Sequence, residues 1–370
     1  MHLLITGAGG FIGRNLSAWL RNRPDLTLLP FDQNDSPATL AHSLRVADAV
    51  VHLAGVNRPP SPDEFRRGNT DFTAHLCEQM EAGGRPLPVI FASSTQATQD
   101  NPYGQSKLLA EQVLAGYAER SGASVTFFRL PNVFGKWCRP HYNSVAATFC
   151  HQIARDLPVT ISDPEREVTF VHVDDVLRAF MAALEQPRPG VHFPAVTPVH
   201  PVTLGRLADL LHSFRQSRQS LTLPDFSDPF THKLYSTFLS YLPENDFGYD
   251  LLRRADNRGS LAEFVKSPHM GQIFVSRTHP GITRGDHYHH LKTEKFLVLE
   301  GKAIIRFRHI ESDAVIEYAV DGEAYRVLDI PPGTTHSIEN VGQGTLVTLF
   351  WASEIFDPTH PDTFQDKVLP

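Results

Sequence analysis

Residues 2–13 read HLLITGAGGFIG, and the fold follows from how this stretch is parsed. The opening run is short and apolar, as a strand buried on both faces must be. Gly7, Gly10 and Gly13 then fall between that run and a helix-like stretch, FIGRNLSAWLRN. Glycine lets the backbone turn tightly and come close to a pyrophosphate, and a helix N-terminus favours an anion. A tight turn with close helix packing would use the same glycines, but the strand-to-helix context favours a nucleotide cradle. Gly7, Gly10, Phe11, Ile12 and Gly13 are therefore candidate cofactor contacts.

Beyond this turn, LTLLPFD, AVVHLAG, PVIFASS and VTFFRL repeat the short apolar run, with helix-like stretches such as YGQSKLLAEQVLAGYAERSG between them. The alternation predicts a doubly wound α/β sheet of Rossmann type. Asp32 ends the second run, 19 residues after Gly13. A carboxylate there suits an adenosine ribose and would repel a 2′-phosphate, which leans toward NADH. A solvated strand-end Asp is the plain alternative. Arg14 and Arg45 are candidate phosphate partners.

From 136 to 245, prolines 158, 164, 187, 189, 194, 198 and 201 break the pattern into short elements. Helices are expected near 143–155, 174–186 and 203–218, in a substrate-binding lobe. Around 241–260 the character changes. GQIFVSRTH, KFLVLEGKAIIRFRH, AVIEYAV, YRVLDIPP and TLVTLFWA alternate with turn residues, which predicts an antiparallel sandwich or barrel. The expected domains are 1–245 and 246–370.

Composition narrows the function classes. With 41% hydrophobic and 20% charged residues, a packed core is expected. A net charge of −7 without a long like-charge block argues against a nucleic-acid partner. Three cysteines, none in a CxxC, fit a reducing cytoplasm. No segment approaches the ~20 apolar residues of a membrane span, and HLLIT is too short for a signal-peptide core. A soluble cytoplasmic enzyme is expected.

Tyr103 and Lys107, in YGQSK, lie four apart on one helical face. A tyrosine can protonate an alkoxide as hydride reaches a carbonyl carbon. Its resting pKa near 10 calls for a neighbouring ammonium, which Lys107 would supply while bonding the nicotinamide ribose. The strand ending in Ser93, Ser94 and Thr95 precedes the pair and offers a hydroxyl for the carbonyl oxygen. Alone, a YxxxK is common on surface helices; its order after the glycine turn and serine strand favours catalysis.

TGAGGFIG, HLAG, FASS, YGQSK, RLPNVFG and VHVDDV together resemble the extended short-chain dehydrogenase/reductase family over roughly 1–245. The resemblance implies action on nucleotide-activated sugars. It implies Ser94 as the catalytic hydroxyl ahead of Thr95 and Ser93, Ala54 and Gly55 beside the cofactor, and Asn132 at the nucleotide-sugar pocket. His172 to Asp175 would stabilise the lobe. Dehydratases of this family carry an acidic pair after the strand-end threonine; here Gln96 and Ala97 stand there, which favours ketone reduction over loss of water.

The second half has its own constellation. GITRGDHYHHLKTEKFLVLEG and PPGTTHSIEN resemble the two cupin motifs, except that Tyr325 replaces the leading glycine of the second. The resemblance implies His287, His289, Glu294 and His336 as metal ligands. His287 and His289, two apart on a strand, would share a face. Three imidazoles and a carboxylate suit Zn²⁺, Fe²⁺, Mn²⁺ or Ni²⁺. A metal that only stabilises the barrel is a live alternative. A catalytic metal would polarise a ketone and acidify the adjacent carbon, with Tyr288, His290 or Lys292 moving the proton.

The whole chain, most closely in STQATQDNPYGQSK and GDHYHHLKTEKFLVLEGKAIIRFRH, resembles the CapF family of capsular polysaccharide synthesis. That resemblance implies NADPH, zinc in the cupin and a homodimer. It implies C3 epimerisation in the cupin and C4 reduction in the first domain. The substrate would be a UDP-2-acetamido-2,6-dideoxy-4-hexulose on the way to UDP-2-acetamido-2,6-dideoxy-L-talose and UDP-N-acetyl-L-fucosamine. The alternatives are a reductase of another nucleotide sugar with a structural metal, a redox-sensing scaffold without turnover, and an iron dioxygenase in the cupin.

Overall fold

In the computed structural model, residues 1–59, 61 and 63–369 are described. The chain forms two compact units, residues 1–212 with 229–243 and residues 213–228 with 244–370.

The first unit rests on a parallel sheet. Its strands are β1 (His2–Thr6), β2 (Thr27–Phe31), β3 (Ala49–His52), β4 (Val89–Ser94), β5 (Ser124–Leu130) and, after β6 (Asn132–Phe134) and β7 (Glu167–His172), β8 (Gly190–His192). The order is β2-β1-β3-β4-β5-β8, all parallel. Strand order reverses between β1 and β3. In this architecture ligands bind in the crevice at the carboxyl ends of the two strands that flank such a reversal.

The apolar runs are continuous because both faces of the sheet are covered. Leu3, Ile5, Val51, Ile90 and Phe128 pack on one side with Leu16, Leu20, Val176 and Phe180, which belong to α1 (Phe11–Leu20) and the later helix Val173–Glu185. Leu4, Val50, Val89, Phe91 and Phe127 point the other way. They meet Leu40 and Leu44 of α2 (Pro37–Val46) and side chains of two further helices. Between β3 and β4 the chain runs through α3 (Asp63–Phe65), a wide π turn at Arg66–Asp71, and α4 (Phe72–Ala82). Sequence periodicity gives no sign of that π turn.

After β4 comes α5 (Pro102–Ser121). Its start is well specified: Pro102 fits the first helical position, and the Asn101 side chain accepts the Gly104 N–H at 2.8 Å. A Cβ on Gly104 would lie 2.8 Å from the Gln99 carbonyl oxygen, so glycine lets this first turn sit against the chain leaving β4. The lobe elements are α6 (Val145–Ile153), α7 (Val173–Glu185), α8 (Leu204–Ser220) and α9 (Pro229–Leu239). The last of these was not expected from the sequence. β9 (His200–Thr203) joins β6 and β7 in a small sheet.

The two sheets of the second unit are antiparallel throughout. Its strands are β10 (Arg254–Asp256), β11 (Gly259–Ser267), β12 (Gly271–Thr278), β13 (Thr283–Tyr288), β14 (Glu294–Glu300), β15 (Lys302–His309), β16 (Val315–Asp321), β17 (Val327–Ile330), β18 (Thr334–Asn340), β19 (Leu346–Ala352) and β20 (Phe364–Gln365). One sheet runs β10-β11-β12-β19-β14-β17 and the other β16-β15-β18-β13-β20. Phe296, Val298 and Phe350 from the first sheet share a core with Ile305, Phe307 and Ile338 from the second.

The three cysteines are free; Cys77 and Cys150 are buried and Cys138 is half-buried. Burial pushes the Cys77 thiol up to about 12 and also raises the other two. Among the described residues, no helix is long and apolar enough to cross a membrane.

Candidate active site and metal centre

The glycine turn lies at the reversal point of the sheet. Gly7 has φ +70, and a Cβ there would meet the Ala54 amide nitrogen at 2.7 Å. A Cβ on Gly13 would stand 2.7 Å from the Ala8 Cα. These two glycines thus bring β1, α1 and the 53–55 loop together, which opens the first turn of α1 toward the crevice. Phe11 and Ile12 form that turn and are half-buried against the core. The Asp32 carboxylate accepts the Gly9 N–H, so it sits at the lip of the same turn. Asp35 accepts the Asp32 N–H at 2.7 Å, adding a second carboxylate there. Arg14 lies over the Trp137 ring and Arg45 beside His42.

Lys107 is buried, with its ammonium donating to the Ala92 carbonyl at 2.9 Å. It also lies 3.3 Å from where a Gly55 Cβ would be, which places its charge at the loop after β3. Burial pushes that ammonium down to about 8, against a pull upward from Glu111. Tyr103 stands one turn earlier on α5. Burial raises its phenol above the usual value, while a hydrogen bond from Ser94 draws it back.

The hydroxyls at the end of β4 differ in their commitments. Ser93 donates to the buried Glu111 carboxylate, which also takes both arms of Arg129. Thr95 is exposed. Ser94 is held by accepting the Gln96 N–H at 3.1 Å and is the one directed at Tyr103.

Sequence reasoning missed Asn69. Its side chain accepts the Val56 N–H at 2.8 Å and donates to the Val56 carbonyl at 2.9 Å and to Ser106 at 2.8 Å. It therefore ties the loop carrying Ala54 and Gly55 to α5. It lies in the π turn, where no periodic signal marks it. His52 beneath is fully buried between Thr6 (2.7 Å) and Thr73 (2.9 Å), and burial pushes its imidazole down to about 3. Asn132 is exposed and donates weakly to the Thr169 carbonyl. His172 accepts the Asp174 N–H at the start of α7, and Asp175 pairs with Arg178 and Lys233. These are contacts within the lobe.

In the second unit, His287, His289, Glu294 and His336 offer ligand atoms that all lie within 4.8 Å of one another. β13 supplies His287, paired in register with His336 of β18, and Glu294 opens β14. One expectation needs correction: His289 lies just past the end of β13, not on it. A bulge at Asp286 (φ +57) bends this strand, yet the His287 and His289 rings still stand 4.9 Å apart. Tyr325, where the second motif would have glycine, adopts φ +44 and keeps the left-handed turn without it.

The donor set fits a cation. The Nε2 atoms of His289 and His336 are buried without a hydrogen-bond partner, at 3.5 and 3.4 Å from the Glu294 carboxylate. The His289 Nδ1 faces the Asp362 carbonyl, so the ring proton resides there and Nε2 presents a lone pair. Burial, with the neighbouring rings, pushes His287 down to about 4. Burial is the largest influence on Glu294 and opposes its ionisation, a cost that a bound cation would offset. Lone pairs and a carboxylate converging without donors are stabilised by a metal ion, and N₃O suits Zn²⁺ and related ions. Of the candidate bases, only Lys292 has its titrating atom engaged. Lys292 donates to Thr363 at 2.9 Å, and Tyr288 and His290 pack on Phe364.

Residues 3–196 match the NAD dependent epimerase/dehydratase family, and residues 254–364 match the polysaccharide biosynthesis C-terminal domain. The chain belongs to the NAD dependent epimerase/dehydratase family, and a nicotinamide cofactor goes with its first unit. More narrowly, it is 46% identical over 368 residues to UDP-2-acetamido-2,6-beta-L-arabino-hexul-4-ose reductase of Pseudomonas aeruginosa, covering 100% of this chain and 99% of that one. It is similar over 100% of both chains to the crystal structure of capsular polysaccharide assembling protein CapF from Staphylococcus aureus, at 47% identity and a TM-score of 0.93. A more distant likeness, to MoeE5 in complex with UDP-glucuronic acid and NAD, has 25% identity and a TM-score of 0.51, over 58% of this chain and 82% of that one.

Proposed function

We propose that the chain reduces the C4 ketone of a UDP-2-acetamido-2,6-dideoxy-4-hexulose with a reduced nicotinamide dinucleotide, for capsule or O-antigen synthesis. The observation that carries this is the convergence of Tyr103, Ser94 and the buried Lys107 at the end of β4, beside the loop after β3. The 46% full-length likeness to a hexulose reductase supports the sugar class. Incubation with the 4-keto UDP-sugar and NADH or NADPH tests it through the loss of reduced-nicotinamide absorbance. No oxidation of either cofactor would sink it.

The bound cofactor supplies the hydride to the carbonyl carbon. Tyr103 gives its phenolic proton to the carbonyl oxygen, so the ketone becomes an alcohol with one hydride and one proton added. Ser94 holds that oxygen by hydrogen bond. Lys107 stabilises the phenolate left behind. Gly7, Gly10, Phe11, Ile12 and Gly13 would seat the pyrophosphate, Asp32 would take the adenosine ribose, and Ala54 and Gly55 would lie beside the cofactor near Lys107.

Because this role requires charged Lys107, kcat/KM of the free enzyme should fall as pH rises through about 8. Loss of the ammonium, not of the raised phenol, gives that limb. A pH–rate profile flat to well above this value would remove the Lys107 charge from the mechanism.

Asp32 bears on the choice of cofactor. With Asp35 it places two carboxylates at the ribose lip. A 2′-phosphate near a partly exposed carboxylate meets repulsion on the order of a few kcal/mol. NADH is therefore expected to outperform NADPH by about tenfold or more in kcat/KM, against the NADPH that resemblance to the CapF family implies. Asp32→Ala should narrow that ratio; an NADPH preference in the unaltered enzyme contradicts this assignment.

The second unit we read as a cupin whose His287, His289, Glu294 and His336 hold Zn²⁺. When bound, the metal polarises a sugar ketone and makes the C3 proton acidic. C3 epimerisation there would precede C4 reduction and lead to UDP-2-acetamido-2,6-dideoxy-L-talose, the precursor of UDP-N-acetyl-L-fucosamine. We infer a cytoplasmic homodimer from the same family likeness.

A further inference from the structure

The four-residue cluster is gripped by a segment about 70 positions downstream. The Asp362 carbonyl accepts from His289 Nδ1. Its carboxylate takes the backbone N–H groups of His290 at 2.9 Å, Leu291 at 2.7 Å and Lys292 at 2.7 Å. One residue therefore fixes both the ring of His289 and the turn joining it to Glu294. The following residues fasten the segment down. Gln365 pairs with His287 and Phe364 with Tyr288, and the Asp366 N–H donates to the Asp286 carbonyl at 2.9 Å. The Asp366 carboxylate accepts from Arg308 and from Thr335, the neighbour of His336. Val368 is buried, and its N–H reaches the Asp286 carboxylate at 3.2 Å.

We propose that Asp362 is a positioning residue for the metal centre, locking His289 in the orientation and tautomer that present Nε2 to the ion. A neutral imidazole has one proton to place, and an acceptor at Nδ1 keeps Nε2 free for the metal. The carboxylate makes the lock rigid: three N–H groups that would otherwise be loose in a turn converge on it. This inference rests on reading the His287, His289, Glu294 and His336 cluster as a metal site.

The test is zinc affinity of the full-length chain, by competition with a chromogenic chelator, for the unaltered protein, Asp362→Ala and Asp362→Asn. Loss of a partner to a metal-bound histidine typically costs about 10–100-fold in affinity; Asp362→Ala keeps the carbonyl that faces His289 but frees it from the carboxylate's grip on the turn, so Zn²⁺ should bind weaker by about tenfold, and Asp362→Asn by less. In the Co²⁺-loaded variants the visible absorption bands should shift, because the ligand field at His289 changes. A residue that merely stabilises the turn would lower the unfolding temperature and leave those bands in place. Equal zinc affinity and equal cobalt spectra in Asp362→Ala overturn the proposal. If that variant does not fold, the same equality in Asp362→Asn overturns it. If the unaltered protein binds no Zn²⁺ or Co²⁺, the metal reading itself fails.

Discussion

A Tyr103→Phe variant is expected to bind the cofactor and lose reduction by about 10²–10⁴-fold in kcat, the usual contribution of a positioned general acid. The substitution removes only the hydroxyl. The ring can still stand near Phe65, 5.9 Å away between centroids, so the local packing persists. Lys107 keeps its bond to the Ala92 carbonyl, which fixes its charge independently of the phenol. Cofactor binding, read by nicotinamide fluorescence, should therefore change little. Single-turnover oxidation with the 4-keto sugar should nearly vanish, while any proton exchange at C3 continues. A variant within tenfold of the unaltered rate would take the proton donor away from Tyr103.

The second large effect is expected at His336. It is the most enclosed of the four cluster residues, with no exposed surface, and its Nε2 has no hydrogen-bond partner to lose. His336→Ala removes a ligand and leaves Glu294 buried beside His289 and His287 only. Metal content per chain should fall to near zero by elemental analysis. Any stabilisation by bound metal goes with it, about 2.7 kcal/mol where the ion is present at 100 times its dissociation constant. In heavy water, deuterium incorporation at C3 should stop, while reduction of a substrate already of the right configuration continues. If the metal-free variant still exchanges C3 at the normal rate, the ion holds the two sheets together and does not act on the sugar.

Much of the first unit was legible because its strands are buried on both faces. LLIT, AVVH and VIFASS send alternate residues into opposite cores, so each reads as an unbroken apolar run. The body of α5 was legible as a helix-like run from Tyr103, whereas its Asn101 cap and its start at Pro102 come from the structure. Asn69 was not. Its importance comes from a π turn that brings it to Val56 and Ser106, and nothing in RRGNTD announces that geometry. The helix Pro229–Leu239 was hidden for the opposite reason, since its buried Phe230, Leu234 and Phe238 sit in a stretch crowded with prolines and polar residues.

In the second unit the four ligand candidates could be read from spacing, because each stands on or beside a regular strand. The expectation that His287 and His289 both stand on one strand failed at its end, because β13 stops at Tyr288, although the two rings still converge. Asp362 was invisible. Its partners lie 70 to 73 positions away, and PDTF reads as an ordinary turn. The family resemblance ranked Ser94 ahead of Ser93 in FASS, but the physical difference between them lies in the buried Glu111, 18 residues on, which occupies Ser93.

The burial of two of the three cysteines has a practical consequence. The thiolate is the species that reacts with maleimides, and burial holds all three groups in the thiol form. The buried Cys77 and Cys150 are thus a quiet background for fluorophore attachment, and only the half-buried Cys138 needs replacing first. Leu291, 78% exposed on the turn that Asp362 grips, offers a place for one dye through Leu291→Cys. Opening of that turn could then be followed by fluorescence in real time.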